Sequence, residues 1–341
     1  MIISRTPFRV SFFGGGTDYP AWFEDHGGAV LATTINKYCY ITCRYLPPFF
    51  EHKSRIIYSK MEHVFRGIDE IEHPAVREVL RFLKIKEGLE IHHDGDLPAR
   101  TGLGSSSAFT VGLLNSLYAL KGKMVTKEQL AKEAIYVEQD MCQENVGCQD
   151  QALAAYGGFN FIEFGGKNHL QVRQVTMTQE KIEELQSHLM LYFTGFSRTA
   201  SEIAHHQIQN IPRKKKELKA MHDMAYEGLK LLNVNDWVAF GRLLDKSWQI
   251  KRHLSEKVST PHIDDIYQTA RRAGAIGGKL LGAGGGGFIL FFVPPAKQSK
   301  FKEKLKKLLY VPFQFENSGS QIIFYQPNGQ YAIAPSKIHA H

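Results

Sequence analysis

Apolar and polar positions alternate over some stretches of the chain and recur at helical spacing over others. Phe8, Val10 and Phe12 alternate with Arg9, Ser11 and Phe13, a pattern that predicts a half-buried strand. That strand runs into "GGGTDYP", where glycines permit a tight turn. Tyr19-Pro20 then opens a short helix closed by Gly27-Gly28. Two further strands are expected in "AVLATT" and "KYCYITCRYL". "HPAVREVLRFLK" carries Val76, Val79, Leu80 and Leu83 on one helical stripe, and a strand follows in "LEIHHDG". Beyond "RTGLGSSSAF", the residues Phe109, Leu113, Leu114, Leu117 and Leu120 recur at helical spacing, so three serines sit in the first turn of a helix reaching about Leu120. The next helix starts at Thr126, with Gln129 completing a capping box.

"VGCQDQALAAYGGFNFIEF" is expected to form a loop, a short helix from about Asp150, a glycine stop and a strand. The polar stretch 165–187 marks a change of domain, giving an N-terminal unit over 1–180 and a C-terminal unit over 181–341. In the second unit a strand in "LMLYFTG" precedes helical sequence through about residue 275. "GGKLLGAGGGGFILFFVPP", a helix in "KFKEKLKKLL" and a final strand in "QIIFYQ" complete it.

A length of 341 residues suits two domains, each able to bury a core. The start of the chain lacks the basic and apolar regions of a signal peptide, and no run approaches the ~20 apolar residues that span a bilayer. The four cysteines, Cys39, Cys43, Cys142 and Cys148, miss the usual zinc spacings, and Cys39 and Cys43 suit two buried thiols on one strand face. A reducing, cytoplasmic setting is expected. The formal charge of +8 suits a nucleic acid, a membrane surface or a phosphorylated small molecule. The densest basic run, "PRKKKELK", leads straight into helical sequence and fits a solvated helix face.

The stretch 100–109 carries the chemistry. A hydrolase elbow needs G-x-S-x-G, and the frame around Ser106 ends in Ala108. A Walker loop needs G-x-x-x-x-G-K-[ST], which neither glycine-rich stretch supplies. Gly282, Gly284 and Gly287 match G-x-G-x-x-G, but a helix precedes them and a strand follows, the reverse of the dinucleotide order. A phosphate cradle remains: Gly102 and Gly104 allow close backbone approach, and residues 105–107 open a helix whose positive dipole end faces an anion. Serine capping of a buried helix is the plainer alternative. Asp150 could likewise be a helix cap, and Glu138 a surface carboxylate. If the cradle holds phosphates, these residues could supply the carboxylates and Mg²⁺ ligands that phosphoryl transfer needs.

"PFRVSFFGGGTDYP", "LPARTGLGSSSAF" and "GGKLLGAGGGGF", in that order, resemble the three motifs of the GHMP kinase superfamily. The resemblance covers nearly the whole chain. It implies an α+β fold with an N-terminal domain like domain 2 of ribosomal protein S5 and a C-terminal ferredoxin-like domain, nucleotide and acceptor meeting between them. Carried over by motif, Gly102, Leu103, Gly104, Ser105, Ser106 and Ser107 would hold the ATP phosphates, with Gly284, Gly285 and Gly286 closing on them. Ser106 and Glu138 would ligate Mg²⁺. Asp150 would lie beside the acceptor hydroxyl, and Arg9 would contact that aspartate. Thr17 and Asp18 would bind the sugar, together with Arg198 in "TGFSRTA".

Galactokinases carry Glu-His where this chain has Gly15-Gly16. The all-glycine turn resembles that of D-glycero-D-manno-heptose 7-phosphate kinases, and fucokinases share a related turn. The resemblance therefore implies phosphorylation of the anomeric C1 hydroxyl of a heptose 7-phosphate, on the route to GDP-heptose and surface polysaccharide. Arg44, Arg100, Arg198 and Lys251 are basic residues available to a second phosphate. The rivals are a fucokinase-like enzyme, another acceptor within the family, and a non-catalytic sugar sensor on the same fold. An RNA-binding role would want basic and aromatic residues interleaved, which the chain lacks. The partners expected are ATP and a sugar phosphate, with no nucleic acid, no membrane, and a homodimer left open.

Overall fold

The first strand, β1 (Ile2–Phe13), is buried along both faces rather than one. Phe8, Val10, Phe12 and Phe13 enter the core, while Arg9 and Ser11 are also covered, at 5% and 6% exposure. The polar face looks into a cavity instead of solvent, which is why alternation alone suggested a half-buried strand. The computed structural model describes residues 1–47, 49–99, 101–165, 169–195 and 200–327.

Helix α1 (Pro20–His26) follows the glycine turn, with Pro20 at its first position and Gly27 at its end. The two strands expected next form one, β2 (Gly28–Tyr45). Its pairing with β1 slips between Pro7 opposite Tyr38 and Phe8 opposite Ile35. Pro7 has no N–H to offer the ladder, so β2 bulges there and bends. Before the bulge β2 pairs with β6 (Phe159–Gly165), and after it with β5 (Leu89–Gly95). The bend made one strand look like two.

The hairpin β3 (Ser54–Ile57) and β4 (Met61–Val64), followed by helix α2 (Pro74–Phe82), completes this end of the sheet. Helix α3 (Ser105–Leu120) is apolar nearly all round and lies against β1 and β2. A Cβ at Gly112 would stand 2.8 Å from the Thr6 hydroxyl, so the glycine sets how closely helix and strand approach. Helix α4 (Lys127–Tyr136) is capped by Thr126, whose hydroxyl accepts from the Gln129 amide at 3.1 Å. It continues into a π-turn over Val137–Met141, and α5 (Gln149–Tyr156) follows.

The polar stretch after β6 contains β7 (His169–Gln174), which stays in the first sheet, and α6 (Gln179–Ser187). A second sheet starts with β8 (Leu189–Phe193). Helices α7 (Ala200–Asn210), α8 (Lys215–Val234), α9 (Trp237–Arg252) and α10 (Pro261–Ala273) lead to β9 (Gly277–Leu280) and β10 (Phe288–Phe292). Helix α11 (Gln298–Lys304) and β11 (Leu309–Val311) close it in the order β11-β8-β10-β9. This is the expected ferredoxin-like βαββαβ arrangement.

The chain does not end in that sheet. Strand β12 (Phe315–Glu316) pairs with β2, and β13 (Gln321–Tyr325) covers the free edge of β1. Residues 315–325 therefore lie in the first sheet, not with the C-terminal unit expected over 181–341. An uncovered β1 edge would expose a row of unpaired amides, and the Phe315 ring packs 5.7 Å from Phe159 and 6.3 Å from Phe12. Cys39, Cys43 and Cys148 are buried free thiols, and no described helix is long and apolar enough to cross a membrane.

The returning segment crosses the end of α5 at Gly157, where φ is +67° and a Cβ would fall 2.0 Å from the Gly319 nitrogen. Gly157→Ala is expected to lower stability by about 3 kcal/mol, combining backbone strain with displacement of this strap. Chemical denaturation checks it, and a loss below about 1 kcal/mol would contradict the packing described.

Candidate active site

A cavity of about 1130 Å³ opens between the two sheets and is lined from both. Two glycine-rich loops meet at its wall. Gly102 and Gly104 have φ of +85° and +76°, and a Cβ on Gly102 would stand 2.6 Å from the Leu281 carbonyl. A Cβ on Gly282 would in turn fall 2.4 Å from the Gly102 Cα, and the Phe288 amide donates to the Thr101 carbonyl at 3.2 Å. Part of the glycine requirement is thus backbone packed on backbone.

Gly104 is the N-cap of α3, and no side chain caps that helix. None of the three serines occupies the capping position. Ser105, Ser106 and Ser107 occupy the first turn and line the cavity. Asp150 does not cap α5 either. Arg9 holds it bidentately, Nε to Oδ1 at 2.6 Å and Nη2 to Oδ2 at 2.8 Å. The third guanidinium nitrogen, Nη1, donates to the Gly102 carbonyl at 2.6 Å. A Cβ on Gly104 would crowd this pair at 3.2–3.3 Å. The glycine lets the helix start pass directly over the aspartate.

Asp18 is buried beside them. Its Oδ1 accepts from the Gly16 amide at 2.9 Å and its Oδ2 from the Gln149 side chain at 2.8 Å. Burial, then the Asp150 charge, raises its pKa from the usual value. Gly147 is required here, because a Cβ would fall 2.0 Å from Asp18 Oδ2.

Glu138 is not a surface carboxylate. It sits in the π-turn at 2% exposure, and such turns often re-aim functional side chains. The hydroxyls of Ser107 and Thr110 each donate to it at 2.7 Å, and the Gln151 amide donates as well. Burial pushes its pKa up to about 7 against these donors. Ser107, not Ser106, is the serine bonded to Glu138. Ser106 is exposed on the cavity wall one residue earlier.

Several expected residues stand elsewhere. Thr17 is fully buried, donates to the Gly14 carbonyl at 2.8 Å and does not line the cavity, so it holds the glycine turn. Leu103 turns its side chain into the core while its carbonyl accepts from the Arg9 amide at 3.0 Å. Gly284, Gly285 and Gly286 are not among the residues lining the cavity, Gly284 packing against Val258, whereas Gly282 and Ala283 do line it. Arg198 and Arg100 lie outside the described residues.

Two buried lysines complete the wall. Lys279 donates to the Phe12 carbonyl at 2.8 Å, linking β9 to β1, and Lys251 on α9 donates to the Leu280 carbonyl at 2.9 Å. Burial lowers Lys279 to about 7, aided by Arg9, and lowers Lys251 well below its usual value. A lone lysine in the apolar stretch "GGKLLG" was the available sequence signal for Lys279. Gln149, Gln151 and Thr110 carried none, since each is an ordinary helical residue in sequence.

The model of the GHMP kinases N terminal domain matches residues 71–158, and that of the GHMP kinases C terminal domain matches residues 228–311. The chain belongs to the GHMP kinases. A D-glycero-alpha-D-manno-heptose 7-phosphate kinase from Campylobacter jejuni is 31% identical over 90% of this chain and 93% of its own. A bifunctional fucokinase/GDP-fucose pyrophosphorylase from Arabidopsis thaliana is 25% identical over 86% of this chain and 30% of that longer protein. The crystal structure of a D-glycero-D-manno-heptose 1-phosphate kinase from Bacteroides thetaiotaomicron superposes with a TM-score of 0.76 at 25% identity, over 94% of this chain and 98% of that one. This GHMP kinase is a sugar kinase, a phosphotransferase acting on an alcohol group with ATP as donor.

The buried lysines give this kinase a pH signature. Lys279 keeps its proton up to about pH 7 when folded and up to about 10.5 when exposed by unfolding. Between those values the unfolded chain binds the extra proton, so stability rises with pH, by at most about 1.4 kcal/mol per pH unit for one group. Lys279→Met is expected to flatten that rise in denaturation curves at pH 7, 8 and 9. An unchanged slope would contradict the burial.

Proposed function

We propose that this GHMP kinase transfers the γ-phosphoryl group of ATP to the anomeric C1 hydroxyl of D-glycero-D-manno-heptose 7-phosphate, giving the 1,7-bisphosphate for GDP-heptose synthesis. The observation that carries the reading is the Arg9–Asp150 pair fixed beneath the uncapped start of α3, with Asp18 alongside. A hydroxyl held by Asp150 faces the place where a helix N-terminus favours phosphate. The substrate choice is supported by the Campylobacter jejuni relative and by Gly15-Gly16, where galactokinases carry Glu-His.

The first turn of α3 binds the triphosphate through amides and serine hydroxyls. The aromatic group of Tyr58, His73 and Phe109, the last two stacked at 4.6 Å, suits the nucleotide base at the far end of the cavity. Asp18 accepts hydrogen bonds from sugar hydroxyls. Asp150, held on both oxygens by Arg9, orients the C1 hydroxyl in line with the γ-phosphorus. A bond forms from O1 to phosphorus as the bond to the β–γ bridging oxygen breaks, and the hydroxyl proton passes to Asp150. Arg9 stabilises the charge that develops there, so positioning and fixed electrostatics carry the rate.

Mg²⁺ fits the residues present. Glu138 and the serine hydroxyls are hard oxygen donors, and Gln151 Oε1 is a buried oxygen with no hydrogen-bond partner. Ser106 and Glu138 would hold the ion, which would neutralise phosphate charge.

A substrate panel read by ADP release tests the assignment. Heptose 7-phosphate is expected to exceed fucose, mannose and mevalonate in kcat/KM, and preference for fucose would favour the fucokinase-like reading. Asp150→Asn is expected to lower kcat about 10²–10⁴-fold, and near-normal kcat would rule out its role. Glu138→Gln is expected to raise the Mg²⁺ concentration giving half-maximal rate about tenfold or more, while an unchanged requirement would remove Glu138 from the metal site.

A further inference from the structure

Arg9 on β1, Lys251 on α9 and Lys279 on β9 line the cavity together with Asp18 in the glycine turn and Asp150 on α5. Arg9 is committed to Asp150. Asp18 is committed to the Gly16 amide and Gln149. The two lysines have no carboxylate partner among the described residues. They are 7% and 2% exposed, and they donate only to main-chain carbonyls, Lys279 to Phe12 and Lys251 to Leu280 and Gly282. An ammonium carries three donors, so Lys279 keeps two N–H groups and Lys251 one for a further acceptor. Asp18 attracts both electrostatically but bonds to neither, and burying charged groups at the cavity wall without direct pairing costs several kcal/mol each.

We propose that Lys251 and Lys279 bind the phosphate monoester that the sugar already carries. This rests on the reading that the acceptor is a sugar phosphate. A dianion matches two ammonium groups in charge, and its oxygens match their spare donors. The triphosphate is assigned to the first turn of α3, whereas the lysines bond to the carbonyls of Phe12, Leu280 and Gly282. Lys279 lies on a strand of the second sheet and Lys251 on the helix α9 packed against it, so a phosphorylated acceptor also bridges the two halves of the kinase.

The experiment compares D-glycero-D-manno-heptose 7-phosphate with the same heptose lacking phosphate. In Lys279→Met and Lys251→Met enzymes, the ratio of kcat/KM between the two acceptors is expected to fall about ten- to hundredfold, the size of a lost charged hydrogen bond. Lys279→Arg is expected to restore part of it. A ratio that stays at the wild-type value, or a loss appearing in KM for ATP instead, overturns the assignment. Calorimetry on the wild-type complex with AMP-PNP, whose phosphates fill the donor end, decides the matter if a variant fails to fold. Mannose 6-phosphate and heptose 7-phosphate are expected to bind at least tenfold tighter than their unphosphorylated sugars, and equal affinities overturn the proposal. If the sugar phosphates bind tighter but heptose 7-phosphate is never turned over, the lysine site stands and the heptose substrate falls.

Discussion

One guanidinium ties the site together. Arg9 reaches from the central strand to both oxygens of Asp150 on α5 and to the Gly102 carbonyl in the loop before α3. Its amide also donates to Leu103, so strand, loop and helix share one residue. Arg9 is nearly buried, and removing a partner from a buried ion pair typically costs about 3–5 kcal/mol, because the remaining charge is stranded. The pair is a positioning device as much as a stabilising one. It fixes the distance between the aspartate and the start of α3, and Gly104 permits that distance by having no side chain in the way.

The second constraint is how the two sheets are joined. Gly102 and Gly282 pack main chain on main chain, the Phe288 amide bonds to Thr101, and Lys279 bonds to Phe12. The last strand then returns to the edge of β1. The wall of the cavity is therefore made of contacts between the sheets. A change in one glycine loop is felt by the other, since neither has side chains to absorb a shift.

Much of this was legible in the sequence, and the misses share a cause. Helix α3 and the glycine turn followed from periodicity and glycine placement, which are local signals, while the ferredoxin-like order came from the family resemblance. The single strand β2 was hidden because its bulge answers Pro7 on a different strand. The return of residues 315–325 was hidden because pairing partners far apart in sequence leave no mark in either segment. At the site, motif matching brought Arg9, Asp18, Glu138 and Asp150 to one cavity. It did not see that Ser107 faces Glu138 and Ser106 the cavity, a matter of about 100° of helical rotation. Nor did it see that Thr17 faces inward. Such outcomes depend on which way a turn rolls against its neighbours.

The charges show why the site is built from groups whose ordinary protonation is opposed. Glu138 is pushed up to about 7 by burial and Lys279 down to about 7 by burial and Arg9. Each lies near the balance point of its charge, so an opposite charge nearby tips it fully into the ionised form. A cation at Glu138 favours the carboxylate, and an anion at Lys279 favours the ammonium. Binding at the two ends is then linked to proton release at one and proton uptake at the other. The linkage needs no movement of the fold, because both groups already line one cavity.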